Sequence, residues 1–369
     1  YWGHVDCQSA GVCATKTPAT CIDGEACVAT TGCDKLGGCQ LAARATTCAE
    51  DGKPCVAAVC VDTTCTSLAA PRLWDTTAGT SAADVIETLV ALPDGGAIAS
   101  GWTTKTASKQ PDAWHLKLGA DGKIAWQKTF GEGATDRFFG GTLRTSQADD
   151  LAGNNGTNGE NGMMLVGDSA SYGAGDLDGW AMATDASGAK VWSQTYGGTK
   201  PDKLRAALSW MGALRAVGST ASSGAGKNDG WLVRLDGLGK QLKATTYGGA
   251  EDDEFAAIAR VGVAGFAAAG TTNSAGAGGK DGWLVRVDGA DKQLWQRTWG
   301  GALDDELVAL VAHPDGGWLL AGTTASLVDV EAATAGWLLR VDASGLLLWQ
   351  RTYGGAGSDG FAAMTALGD

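Results

Sequence analysis

Carboxylates are the side chains in this sequence best able to bind or transform a ligand. The chain of 369 residues carries 41 acidic residues against 28 basic ones, with only three histidines. Two acidic runs stand out, Glu251-Asp252-Asp253-Glu254 and Asp304-Asp305-Glu306, and single aspartates recur at Asp112, Asp178, Asp229 and Asp281. Such groups could hold a cation or a basic ligand, or could accept backbone N–H bonds within turns. Recurrence at a fixed repeat position marks the aspartates as structural. The less regular Glu251, Asp252, Asp304 and Glu306 are therefore the candidate binding face. A polar run over residues 149–162 offers Asp149, Asp150, Asn154, Asn158 and Glu160 as oxygen donors between glycines. That is a candidate calcium loop, because calcium takes six to eight oxygens. Its spacing is not that of an EF-hand, and a flexible polar hairpin extension accounts for the same residues.

Catalytic signatures are sparse. The sequence contains no Gly-x-Ser-x-Gly, His-Glu-x-x-His or P-loop motif. His115 and His313 occupy repeat positions that hold other residues elsewhere, so each reads as a packed or surface histidine. Arg234, Arg286 and Arg340 recur at one repeat position, which argues against a dedicated arginine cluster. No catalytic residue is assigned and no cofactor is expected beyond the calcium candidate.

The elements that must position these side chains are spelled by a repeat. Its units read Gly-Trp-Leu-x-x-apolar-Asp, a turn, Leu-Trp-Gln-Arg-Thr-(Tyr/Trp)-Gly-Gly, three variable residues, then Asp and an apolar run. Aligned copies place Asp84, Asp136, Asp202, Asp253, Asp305 and Asp359 at steps of 51 to 54 residues, except one of 66 that contains the polar run at 149–162, a period expected of four-stranded propeller blades. In one unit the strands are predicted at 255–260, 265–272, 283–287 and 293–298. Side chains alternate within them with a period of two. Pro-Asp-Gly-Gly at 93–96 and 314–317, and Asp-Ala-Ser-Gly at 185–188 and 342–345, supply the tight turns between them. The expected fold is thus all-β, a propeller over 71–369 with five complete blades plus lone terminal strands near 73–77 and 361–367. Three arrangements fit those lone strands: a five-bladed ring with extra strands at the seam, a piece of a longer chain, or edges that pair with another molecule.

A tryptophan follows the turn glycine by four residues at Trp126, Trp192 and Trp349, and Trp295 and Trp74 take the same strand position, with Lys243 as the exception. In these residues the chain resembles the tryptophan-docked propellers, the group that includes pyrroloquinoline-quinone dehydrogenases and non-catalytic relatives. The resemblance implies that these tryptophans dock one blade against the next. It does not extend to quinone chemistry, because the family's cofactor-binding residues find no match here.

All ten cysteines lie in the first 70 residues: Cys7, Cys13, Cys21, Cys27, Cys33, Cys39, Cys48, Cys55, Cys60 and Cys65. Their even number and irregular spacing, with no Cys-x-x-Cys, read as a disulfide-rich module over 1–70 rather than a zinc site. Cys21-Ile-Asp-Gly-Glu-Ala-Cys27 and Cys48-Ala-Glu-Asp-Gly-Lys-Pro-Cys55 resemble the Cys-x-Asp-Gly modules of secreted myxobacterial surface proteins. An oxidising, extracellular or cell-surface location follows as an expectation, with a chain starting at Tyr1 read as a processed form. The net charge of -13 disfavours nucleic acid as a partner, and no apolar run reaches the length of a membrane-spanning helix. The expected role is a non-enzymatic structural or assembly subunit of an extracellular layer or filament. Self-association or an extracellular protein or glycan supplies the partner. A binding module on the acidic face is the alternative, and a hydrolase or quinone-dependent enzyme the remote one.

Overall fold

A computed structural model describes residues 76–92, 94–104, 109–144, 162–210, 212–261, 265–328 and 333–366, together with the backbone of six short strands before them. The chain divides into two compact units, Tyr1–Asp75 and Thr76–Asp369. In the first, β1 (Ala19–Thr20) pairs with β2 (Ala26–Val28), β3 (Thr30–Cys33) with β4 (Cys39–Leu41), and β5 (Ala58–Val61) with β6 (Thr64–Ser67). The cysteine side chains lie outside the described residues, as does Trp74.

The second unit is a propeller of five sheets, each an antiparallel meander of four consecutive strands called A to D from the channel outward. The first blade is β7 (Asp84–Ala91), β8 (Ala97–Thr104), β9 (Pro111–Leu118) and β10 (Ile124–Phe130). The second is β11 (Asp136–Leu143), β12 (Met163–Ser169), β13 (Asp178–Thr184) and β14 (Lys190–Tyr196). The third is β15 (Asp202–Trp210), β16 (Ala213–Thr220), β17 (Asp229–Leu235) and β18 (Gln241–Tyr247). The fourth is β19 (Asp253–Arg260), β20 (Gly265–Thr272), β21 (Asp281–Asp288) and β22 (Gln293–Trp299). The fifth is β23 (Asp305–Ala312), β24 (Trp318–Thr324), β25 (Ala335–Val341) and β26 (Leu347–Tyr353). Four strands per repeat and their order agree with the sequence expectation.

The core lies between blades rather than within them. Strands B and C are buried on both faces, and the clusters join adjacent blades: Val217 and Leu232 of the third meet Phe255, Phe266, Trp283 and Val285 of the fourth. In strand C of the second, third and fourth blades a glycine precedes the tryptophan, and the next blade's tryptophan lies over it. A Cβ on Gly230 would come within 2.8 Å of the Trp283 ring, and one on Gly179 within 2.8 Å of Trp231. In four of the five blades the strand C indole also donates to strand D of its own blade, as Trp283 Nε1 does to Gln296 at 3.1 Å and Trp337 Nε1 to Gln350 at 3.2 Å. The Gln of the Trp-Gln-Arg-Thr motif therefore satisfies a buried N–H that would otherwise be costly.

One expectation is corrected. The strand foreseen over Phe361–Leu367 forms no ladder: residues 354–366 have no β partner among the described residues. A strand exists only by its neighbour, and among the described residues none pairs with this segment. Of the lone strand D foreseen at 73–77, residues 73–75 lie outside the described residues and 76–77 are not in a strand.

Candidate functional site

A channel of about 720 Å³ runs down the middle of the propeller, lined by the strands A and by Ala362–Met364. Each strand A carries a register shift two residues after its first aspartate, between Ile86/Thr88, Phe138/Gly140, Leu204/Ala206, Phe255/Ala257 and Leu307/Ala309. A bulge re-aims the extra side chain. The residues skipped by the ladder are Glu87, Phe139, Arg205, Ala256 and Val308, and of these Glu87, Phe139 and Arg205 give the channel polar and aromatic chemistry. The Arg137 and Arg205 guanidiniums flank the Phe139 ring at 5.1 and 4.9 Å from its centre, inside cation–π range. Arg137 is held by Asp168 at 2.6 Å, Arg205 by Glu254 at 2.6 Å, and Lys280 by Glu306 at 2.7 Å. Its hydrogen bond to Glu306 pushes the Lys280 ammonium above the usual lysine range.

Of the four carboxylates singled out as a binding face, Glu251, Asp252 and Asp304 lie on D–A connections and Glu306 at the start of β23, and each is engaged by a neighbour. Glu251 takes the Lys227 ammonium at 2.7 Å, and that bond raises the lysine's pKa. Asp252 accepts from the Asn228 amide side chain at 2.6 Å. Asp304 accepts the Lys280 backbone N–H at 2.9 Å, and Glu306 faces the channel. In each pair the donor sits on a B–C loop and the acceptor on the following D–A connection or at the start of strand A, so these groups stitch consecutive repeats together.

The recurrent aspartates are structural hubs. Asp253, 1% exposed, accepts the Gly249 N–H at 2.8 Å, the Ser274 hydroxyl at 2.7 Å and the Thr272 hydroxyl. Asp202 and Asp305 repeat the arrangement with Gly198, Ser222 and Thr220, and with Gly301, Ser326 and Thr324. Three donors gathered on one buried carboxylate tie the D–A connection to the end of strand B.

Docking between blades follows the tryptophans of strand D. The second blade's Trp192 lies against the third blade's C–D turn, where a Cβ on Gly239 would come within 2.7 Å of the ring and φ is +84°. Its indole donates to the Gly237 carbonyl at 3.0 Å, and Tyr196 closes the joint by donating to the Gly239 carbonyl at 2.5 Å. Trp126 meets Gly188 and Trp295 meets Gly345 in the same way. Where Lys243 replaces tryptophan, the turn glycine is replaced too, by Asp291 at φ +63°. Lys243 donates to the Ala290 carbonyl, Arg215 pairs with fully buried Asp291 at 3.0 Å, and Arg234 faces its second oxygen at 3.3 Å.

The fifth blade departs from this pattern. Trp349 is 40% exposed and Tyr353 45%, where Tyr196 and Tyr247 are 8% and 6%. Among the described residues, no C–D turn covers Trp349.

His115 and Ser100 replace apolar residues in the first blade. Both are 0% exposed, with Ser100 Oγ and His115 Nδ1 2.8 Å apart, and His115 Nε2 has no partner among the described residues. Burial pulls the His115 pKa down to about 4. A Ser–His pair sealed inside a joint offers no approach to a substrate. His313 sits at a turn, accepting the Asp315 N–H at 3.2 Å.

The candidate calcium residues Asp149, Asp150, Asn154, Asn158 and Glu160 lie outside the described residues. No group of three or more His, Cys, Asp or Glu side chains among the described residues is arranged to hold a metal ion. No described helix is long and apolar enough to cross a membrane.

The channel residues Phe139, Arg205 and Lys280 were not among those singled out by sequence. For Phe139 and Arg205 the signal was the glycine recurring in strand B opposite each bulge. No protein-family model and no curated protein matches the chain. Among solved structures, a protein of unknown function from Bacteroides caccae is similar at 12% identity, with 74% of this chain and 85% of that one covered and a TM-score of 0.43. Sqt1 from Chaetomium thermophilum is similar at 12% identity, covering 76% and 74%, with a TM-score of 0.38. Likeness at this level assigns no activity to the chain.

Proposed function

We propose that this protein is a non-enzymatic extracellular propeller that serves as an assembly subunit of a layer or filament, joined through the outgoing face of its fifth blade. The observation that carries this reading is the pair Trp349 and Tyr353, exposed where Trp126, Trp192 and Trp295 are half-buried and Tyr196 and Tyr247 are buried. Large aromatics left open on a surface built for docking mark an interaction site. The cysteine-rich first unit supports an oxidising location. Electron microscopy of native material under non-reducing conditions, with sedimentation of Trp349→Asp, tests the reading. Ordered polymers dispersed by the substitution are expected; single particles at every concentration would overturn it.

A second reading, a glycan- or protein-binding module, is favoured by the channel mouth, where Phe139 lies between two guanidiniums. Glycan arrays probed with the wild type and with Phe139→Ala/Arg205→Ala are expected to separate it from the first. Silence of the wild type across the array counts against this second reading.

A further inference from the structure

The joint between the third and fourth blades is short of negative charge. Arg215 of β16, Arg234 of β17 and Lys243 of β18 stand directly opposite one another across the third sheet. Like charges in that relation repel. In the other four blades the same row holds one cation or none, as in Met164, Ala183 and Trp192 of the second and Ala267, Arg286 and Trp295 of the fourth. Against the three charges stands one fully buried carboxylate, Asp291. Arg215, 8% exposed, gives Nε to Asp291 Oδ1 and Nη2 to the Gly289 carbonyl, both at 3.0 Å. Arg234 brings Nη1 to 3.3 Å from Asp291 Oδ2 and 3.4 Å from the Gly289 carbonyl, while its Nε is buried with no acceptor among the described residues. Lys243 donates to the Ala290 carbonyl, which uses one of its three protons. The turn's other carboxylate, Asp288, accepts the Ala290 and Lys292 N–H groups at 2.9 Å and is answered by the Lys292 side chain. Two positive charges are thus left over in a partly buried setting, where an unmatched charge is costly. The row runs from strand B out to strand D, and Arg234 is 27% exposed and Lys243 half-buried, so their remaining donors meet solvent side by side.

We infer that this joint is a binding site for a doubly charged oxyanion, phosphate as the free ion or as a monoester on a larger molecule. Its oxygens accept from the Arg234 guanidinium and the Lys243 ammonium, the two cation types best suited to phosphate. Two negative charges match the excess of two, where a carboxylate ligand would bring only one. Although an arginine recurs at position 234 in the fourth and fifth blades, Arg215 and Lys243 do not recur, so the site belongs to this joint alone. It stands apart from both the fifth blade's outgoing face and the channel.

The test is calorimetric titration of the whole protein, in low-chloride buffer, with inorganic phosphate, a phosphorylated monosaccharide and inorganic sulfate. Saturable one-to-one binding is expected. Arg234→Gln and Lys243→Gln should each weaken it about ten-fold, the worth of one charge-assisted hydrogen bond. Lys243→Arg should keep it, and Lys227→Gln, at the other end of the blades, should leave it unchanged. Because Arg234 also faces buried Asp291, Lys243→Gln on the outer strand decides the matter should Arg234→Gln melt early. From about pH 7.5 to about pH 5.5 phosphate loses a charge, its second pKa lying near 6, so its affinity should fall several-fold while that of sulfate, still doubly charged, holds. Sulfate falling alongside phosphate overturns the charge match. Tighter binding of the monosaccharide phosphate assigns the site to a monoester, and tighter binding of inorganic phosphate assigns it to the free ion. Heats without saturation, or an affinity indifferent to both glutamine variants, mean an adventitious ion only and overturn the inference.

Discussion

The joint between the second and third blades and the outgoing face of the fifth blade are made of the same residues in different circumstances. Trp192 and Tyr196 each reach a backbone carbonyl on the neighbouring turn, which leaves the tryptophan half-buried and the tyrosine buried, while Trp349 and Tyr353 stay 40% and 45% exposed. The joint between the third and fourth blades supplies a third case, with lysine, two arginines and a buried aspartate where the others have an indole on a glycine. A repeat position therefore carries the capacity to dock, and only the next repeat turns that capacity into burial. The exchange at Lys243 and Asp291 is coupled: losing the indole opens room at the turn, and the carboxylate that fills it needs the guanidiniums beside it.

The strongest way to break the comparison is at the charged joint. Asp291→Gly leaves Arg215 and Arg234 without their partner inside the protein, so a loss of about 4 kcal/mol in chemical denaturation is expected. Adding Lys243→Trp to that variant should recover part of the loss by rebuilding the indole-on-glycine dock, and recovery no larger than additivity would refute the coupling. Trp192→Ala comes next at about 3 kcal/mol, while Trp349→Ala should cost less than about 1 kcal/mol. Equal costs would mean that the fifth blade is sealed after all.

An effect of similar size depends on pH. His115 is held neutral in the joint of the first two blades, with its pKa near 4. The unfolded chain, with an ordinary histidine, binds the proton first as pH falls. Stability should therefore drop by up to about 3 kcal/mol between pH 6.5 and 4. Replacing His115 with leucine, the residue of the later blades, should remove that slope while leaving the carboxylate-driven loss at lower pH, as followed by thermal melts. The smallest effect contrasts the tyrosines: Tyr196→Phe should cost about 1 kcal/mol, and Tyr353→Phe nothing measurable in the isolated protein.

Much of this fold is local and therefore legible. Strand alternation, Asp-Gly turns and the Gly-Trp and Trp-Gln signatures act within one repeat, so fifty residues suffice to read a blade, as β19 to β22 illustrate. The recurrent aspartates were also readable as turn acceptors, because Asp253 and its equivalents bond groups a few residues or one hairpin away. The candidate site was less legible. Glu251, Asp252 and Asp304 looked irregular because each answers a residue on the preceding repeat, Lys227, Asn228 or Lys280, and an alignment of repeats on themselves does not show which neighbour faces which.

By itself, the sequence determined the strand order, the turns, the glycines that admit a neighbouring indole and the aspartates that gather donors, because each depends on spacing along one repeat. Tertiary structure alone decided which side chains line the channel, since a bulge one residue long turns Phe139 and Arg205 inward. It also decided which aromatics are covered, since Trp192 and Trp349 share one strand position, and among the described residues a folded turn stands opposite only the first. Burial belongs to pairs of surfaces, and a single repeat contains one member of the pair.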